Sequence, residues 1–403
     1  MTTHDDHLAF AAECEAELDA ILHWWSTKAV DLERGGFYGE VDERDRPQPL
    51  ANKGAILHAR LLWFFSVAAR ERPQARSLAD RCYAYLRDQF VDHRHGGIMW
   101  ELDAGGRAVN AKKQAYAQAF AIYGLSEYFA ATRIAGARDL ALALFDLLET
   151  HFVDPAHGGY IEALAQDWSP LVDVRLSDLD ANTAKSQNTH LHILEAYTAL
   201  HTIAPSARVE EALYNCIRIF EQRLFNPSTK HIRLFLDLDW TDRSESISFG
   251  HDIEASWLLW RAGEALSQAE TQRLYPLVID LARTTLREGV DNQGALRSER
   301  SFSGEVDGRR VWWVQSEAIV GFLNAYEPTG DAAFYDAARA VWRFIQVHQI
   351  DRARGEWTWW SDLDLPNPDR TYKAGFWKCP YHNGRAMLEA SARLKRLAAA
   401  QKQ

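Results

Sequence analysis

Three histidines in this 403-residue chain stand where proton chemistry is possible: His192, His251 and His382. Each sits at the mouth of an apolar run. His251 belongs to Gly250-His251-Asp252-Ile253-Glu254-Ala255-Ser256-Trp257, where an imidazole and the Glu254 carboxylate, three residues apart, would share one face of a helix. His382 precedes Arg385 by the same interval. Imidazole titrates near neutrality, which suits it to take a proton and give it back. Glu254, Glu317 and Asp252 could supply the paired carboxylates of a glycosidase, but that chemistry leaves the histidines without work. The sequence has no HExxH or comparable ligand spacing, so no metal is expected. It also lacks GxSxG, GxxxxGK[ST] and a strand-borne GxGxxG, which removes nucleophile-elbow hydrolases, P-loop enzymes and dinucleotide oxidoreductases; no cofactor is expected.

What positions these residues is a repeat. A glycine turn with an alternating tail recurs as Arg34-Gly35-Gly36-Phe37-Tyr38, His95-Gly96-Gly97-Ile98-Met99-Trp100 and His157-Gly158-Gly159-Tyr160-Ile161. Weaker echoes follow at Lys230–Leu234, Gln293–Leu296 and Arg354–Trp359. Gly35 to Gly96 is 61 positions, Gly96 to Gly158 is 62, and Gly294 to Gly355 is 61. Regular self-similarity of this length marks a repeat architecture. The helical pattern after each turn is apolar nearly all round and the one before it is amphipathic, as in 76–86 and 332–342. A helix apolar on all sides is buried, and one with a single apolar stripe covers it. Six such pairs close most simply into an all-α (α/α)6 barrel with short hairpin-like loops, one domain over residues 1–403; an open superhelix is the alternative. All inner helices of a barrel start at one end, so Arg60, Gln118, His192, Glu254, Glu317 and Arg385, at separations of 58, 74, 62, 63 and 68, are expected to form the floor of one pocket.

Composition narrows the partners. A net charge of −11 argues against nucleic acid and anionic membrane surfaces, which call for clustered Lys and Arg. Fifteen tryptophans are more than core packing needs, and indole faces stack well on sugar rings. Cys14, Cys82, Cys216 and Cys379 form no CxxC pair, so reduced buried thiols are expected. No apolar run spans a bilayer and the first residues carry no leader pattern, which places the protein in the cytoplasm.

Four segments then match a known pattern: Lys185-Ser186-Gln187-Asn188-Thr189-His190-Leu191-His192, the His251 segment, Trp312-Trp313-Val314-Gln315-Ser316-Glu317, and Phe376-Trp377-Lys378-Cys379-Pro380-Tyr381-His382-Asn383-Gly384-Arg385. With the early Lys53–Trp63 helix, they resemble the signature segments of the N-acylglucosamine 2-epimerase superfamily, and within it the cellobiose 2-epimerase branch. The resemblance implies cofactor-free epimerisation at C2 of a reducing-end aldose, through a planar enediol and two opposed acid/base groups. By that resemblance His251 and His382 are the two bases, and His192 serves ring opening and proton traffic at O1 or O5. Arg60 holds the enediolate oxygens, and Glu254 orients His251. Trp313 and Trp377 stack on the sugar, with Asn188, Tyr116, Glu317 and Trp257 completing the substrate site. It further implies a small-molecule sugar as partner and a monomer or weak homodimer. Mannose 2-epimerases and mannose isomerases share the histidine set and are the alternative, ahead of an N-acylglucosamine 2-epimerase, a glycosidase or a non-catalytic sugar-binding barrel. The run Trp357-Thr358-Trp359-Trp360 and the Trp377 loop would suit a second sugar subsite or close a monosaccharide pocket.

Overall fold

The six apolar runs become six buried helices, each covered from outside by an amphipathic one. The computed structural model describes residues 3–364 and 371–401. Its helices run in chain order: α1 His4–Lys28, α2 Ala55–Ala68, α3 Arg76–Tyr85, α4 Ala115–Thr132, α5 Ala135–His151, α6 Gln187–Ile203, α7 Ala207–Ile219, α8 Phe249–Leu266, α9 Gln268–Gly289, α10 Trp312–Thr329, α11 Ala332–His348 and α12 His382–Ala400. The even-numbered helices pack in sequence around a ring, α2 on α4, then α6, α8, α10 and α12, and α12 returns to α2. The odd-numbered ones lie outside: α3 on α2, α5 on α4, α7 on α6, α9 on α8 and α11 on α10. The first helix, α1, covers the last, α12, so the two ends of the chain close the outer ring. This is the (α/α)6 barrel; an open superhelix would leave α2 and α12 apart. Their approach is close enough that a Cβ at Gly384 would lie 2.4 Å from the Phe64 ring.

The two rings follow from side-chain distribution. α2 buries every residue except Val67, whereas α7 buries Val209, Ala212, Leu213, Cys216 and Ile217, a single stripe at helical spacing. Among the described residues no helix is long and apolar enough to cross a membrane. All four cysteines are buried and unpaired.

After each outer helix the chain makes a tight antiparallel hairpin, bridged at Val30–Phe37, Val91–Ile98, Val153–Tyr160, Phe225–Ile232, Val290–Leu296 and Ile350–Trp357. Two devices, neither of them evident in the sequence, bind these hairpins to the inner helices. The first is a cation, buried in four cases and half-buried at Arg310, reaching back to an aspartate in the turn: Lys53–Asp31 at 2.9 Å, Lys113–Asp92 at 2.9 Å, Lys185–Asp154 at 2.8 Å, Arg310–Asp291 at 2.8 Å and Lys373–Asp351 at 2.8 Å. Each aspartate also accepts backbone N–H groups of its own turn, so both charges are satisfied where an isolated buried charge would be costly. The fourth repeat lacks the pair: Asn226 stands at the turn and Ile247 where the cation would be.

The second device is a polar side chain in the first turn of five of the six inner helices that captures hairpin backbone; in α12 the equivalent Asn383 bonds the Glu356 carboxylate instead. His58 accepts from the Phe37 N–H, Gln118 bonds both N–H and C=O of Ile98, His190 accepts from Tyr160, Asp252 from Ile232, and Gln315 bonds both groups of Leu296. Gln118 therefore belongs to this set and not to the pocket floor, a correction to the expected register. Two positions on is 200° around an α-helix, so the residue that faces the axis is Phe120.

Candidate active site

With the register set, the inward rank reads Arg60, Phe120, His192, Glu254, Glu317 and Arg385, every member at most 3% exposed. Arg385 is its electrostatic centre. Its Nη2 donates to Glu254 and to Glu317, each at 2.7 Å, and its Nη1 donates to Glu195 and to the Tyr381 hydroxyl. One cation thus serves three buried carboxylates. Burial pushes Glu317 up, but Arg385 and His382 outweigh it and hold that carboxyl well below the ordinary carboxylate range. Glu254 moves the other way, raised by burial and by the Glu317 charge beside it. Glu254, Glu317 and His382 are the constellation with metal-ligand spacing among the described residues, their donor atoms within 4.8 Å of one another. Arg385 already bonds both carboxylates and takes the place a cation would fill.

The three histidines lie around this centre in different settings. His382 Nδ1 pairs with Glu317 Oε1 at 2.6 Å, and Glu317 Oε2 accepts the Trp257 indole N–H at 2.9 Å. His192 Nδ1 lies 3.0 Å from Glu195 Oε2. His251 Nδ1 lies 2.9 Å from the hydroxyl of Ser248, the N-cap of α8. The Nε2 atoms of all three have no protein partner among the described residues. Burial keeps each imidazole neutral at ordinary pH, lowering His251 to about 4 and His382 to about 3 and placing His192 well below 6.5. The indole of Trp313 packs tilted against two of them, its centroid 4.9 Å from His251 and 5.6 Å from His382. Gly250 permits this, since a Cβ there would sit 2.6 Å from the indole.

Several expected contacts are replaced by others. Glu254 does not orient His251; it turns to Arg385 while Ser248 holds the imidazole. Trp257, expected against substrate, is 2% exposed, bonded to Glu317 and under the Arg385 guanidinium at 4.6 Å. Glu317 likewise backs His382 from the interior, with no exposed surface. Arg60 lies within ion-pair distance of no carboxylate among the described residues: it donates to Tyr116 Oη at 2.8 Å and to the Trp377 carbonyl at 3.3 Å, and packs on the rings of Phe120 and Tyr381. Asn188, Trp313 and Trp377 are half-buried at the helix N-terminal mouth. Trp100 and Phe376 join Trp377 on one side of the mouth. Trp359 packs tilted against Trp312 and edge-to-face with Tyr372, whereas Trp357 is fully buried, its indole N–H donating to Glu17. Sequence reasoning missed Glu195, Tyr381, Ser248 and Phe120. Glu195 carried a usable signal, standing three residues after His192 as Glu254 does after His251.

The model of the N-acylglucosamine 2-epimerase (GlcNAc 2-epimerase) family matches residues 36–386. The chain belongs to this family. It is 42% identical to a cellobiose 2-epimerase of Bacteroides fragilis over 94% of this chain and 97% of that protein, and 36% identical to one of Dictyoglomus turgidum over 93% and 96%. The solved cellobiose 2-epimerase of Bacillus thermoamylovorans superposes with a TM-score of 0.90 at 36% identity, covering 96% of this chain and 99% of that one. D-mannose isomerase sequences stand further off, at 23–25% identity. The chain is thus a sugar epimerase of the cellobiose 2-epimerase type, and its helix N-terminal mouth is where the epimerase brings imidazoles, a carboxylate-free guanidinium and indole faces together.

Proposed function

We propose that the protein interconverts the reducing-end glucose and mannose of β-1,4-linked disaccharides such as cellobiose. The observation that carries this reading is the pair of neutral imidazoles, His251 and His382, both packed against the Trp313 ring and each with an Nε2 that has no protein partner among the described residues. Epimerisation at C2 needs a base on one face of the opened sugar and a proton donor on the other. One imidazole takes the C2 proton, the C2–H electrons form the C1–C2 double bond as the C1=O1 pair moves onto O1, and, while the first imidazolium gives its proton up to solvent, the other imidazole takes one up on Nε2 and delivers it to the opposite face of C2. Trp313, beside both, supplies an apolar face for the sugar carbons. Arg60, within ion-pair distance of no carboxylate among the described residues, would stabilise the charge that develops on the O1 and O2 side. His192 serves the opening of the ring. The second sugar of a disaccharide would lie on the rim formed by Trp100, Phe376 and Trp377.

The test is incubation in heavy water with cellobiose, lactose, mannose and glucose, followed by NMR. Deuterium at C2 with appearance of the mannose-ended disaccharide is the expected result. Conversion of mannose to fructose in preference would favour the isomerase reading, released glucose a glycosidase, and unchanged sugars a binding protein.

The acid limb of the rate profile follows from the same geometry. Because burial lowers His251 to about 4 and His382 to about 3, both remain proton acceptors far below the ordinary imidazole range. kcat/KM should therefore stay flat from neutrality down to about pH 5 and fall only below it. An acid limb centred near 6.5 would contradict this. The linkage to stability has a definite sign: groups whose folded pKa is depressed stabilise the fold fully above 6.5, and that contribution is lost as pH falls through the window toward 4.

A further inference from the structure

The geometry around His192 assigns a role to a residue outside the proton-transfer pair. We propose that Glu195 is the positioning residue for His192, accepting its Nδ1–H so that an unprotonated Nε2 faces the sugar. The proposal rests on the epimerase reading above and deepens it.

Glu195 lies one turn after His192 on α6, is 3% exposed, and has all its bonds assigned. Oε1 accepts from Arg385 Nη1. Oε2 lies 3.0 Å from His192 Nδ1 and accepts the Tyr381 hydroxyl at 2.5 Å. An ionised carboxylate can only accept, so Nδ1 must carry the proton and Nε2 the lone pair. The tautomer is set by the hydrogen bond behind the ring, as is general for working histidines. The ring itself is clamped between Phe120, at 4.6 Å and tilted, and the edge of Tyr116, at 5.0 Å. It therefore cannot flip cheaply to exchange its nitrogens. Opening a pyranose takes the proton from the anomeric hydroxyl and places one on the ring oxygen as the C1–O5 bond breaks and C1=O1 forms. A fixed Nε2 acceptor can receive that proton from O1 and deliver it to O5, which balances the step with no further reactant. His382 has the same arrangement with Glu317, and the two carboxylates meet on one guanidinium. His251, backed by a hydroxyl that can donate or accept, is free to hold either tautomer.

Glu195→Gln separates this role from packing. Arg385 at Oε1 requires an oxygen there, so the new amide nitrogen falls at the Oε2 position and donates to His192 Nδ1 and to the Tyr381 hydroxyl, which turns from donor to acceptor. The imidazole is then driven to the Nε2–H tautomer at almost unchanged volume. Turnover of cellobiose should fall at least tenfold, and on the order of 10²-fold if ring opening becomes limiting, with KM within about threefold of wild type. Glu195→Asp, which offers only oxygens, should recover part of the loss. The decisive readout is 15N NMR of histidine-labelled protein. His192 is expected as the Nδ1–H tautomer in wild type and as Nε2–H in Glu195→Gln. An Nε2–H tautomer in wild type overturns the proposal whether or not the variant folds, and so does a folded Glu195→Gln protein with kcat within threefold of wild type. Failure of the epimerase reading would show separately, as wild-type protein that leaves C2 undeuterated.

Discussion

Replacing His382 or His251 with alanine lowers turnover at least about 100-fold while the fold persists, because a positioned acid/base group contributes about 10²–10⁴-fold. Neither change should unfold the barrel. His251 is half-buried and its ring is bonded only to Ser248, and when His382 is removed Glu317 keeps Arg385 and Trp257 as partners. The two variants should nonetheless differ in a telling way. Each retains one imidazole on one face of C2, so each should still exchange the C2 proton of one epimer for deuterium, slowly and without inversion, and the two should prefer opposite epimers. The check is C2 exchange measured from the glucose-ended and the mannose-ended disaccharide separately, alongside circular dichroism for the fold. Residual epimerisation above about a hundredth of wild type in either variant, or the same epimer exchanged by both, sinks the two-base account.

The largest loss of stability is expected from Arg385→Met. The guanidinium is 1% exposed and is the shared partner of Glu195, Glu254 and Glu317. Methionine fills much of its volume but leaves three carboxylates facing one another without a cation. Breaking a buried ion pair by removing one partner costs about 3–5 kcal/mol, and here three partners are stranded at once, so the variant should lose at least that much or fail to fold. The pH dependence has a predictable sign. Without Arg385 the carboxyls, Glu317 above all, rise in pKa, so the folded variant binds protons that the unfolded chain does not in the range above the ordinary carboxylate value. Its deficit relative to wild type must therefore grow as pH rises and shrink as pH falls from 8 to 5. Urea midpoints of both proteins across that range test this, and a deficit independent of pH would show that Arg385 acts by packing alone.

Much of the architecture was legible in the chain. The period of about sixty residues, the apolar runs after each glycine turn and the amphipathic stretches before them mark six helix pairs, and the inner helices are those the runs identify. His192, His251 and His382 do lie on inner helices at the mouth end, and Trp313 packs against the last two. These are local properties: burial periodicity and turn chemistry act on residues near one another in sequence.

Which side chain touches which was decided only when the barrel closed. His251 and Glu254 share a helix face, yet that face looks across the barrel, where Arg385, 131 residues later in sequence, is a stronger partner for a buried carboxylate than a neutral imidazole. Gln118 had the polarity expected of the pocket floor, but 200° of helix rotation separates it from Phe120, and polarity alone cannot tell a group that caps a hairpin backbone from one that faces a cavity. The buried Lys–Asp pairs join residues 21 to 31 positions apart whose charges look ordinary in sequence. The sequence by itself determined the number of repeats, the buried helices and the histidine set. The tertiary structure decided the pairings, His382 with Glu317, His192 with Glu195 and Arg385 with all three carboxylates, because the free energy of a buried charge depends on neighbours brought from other repeats.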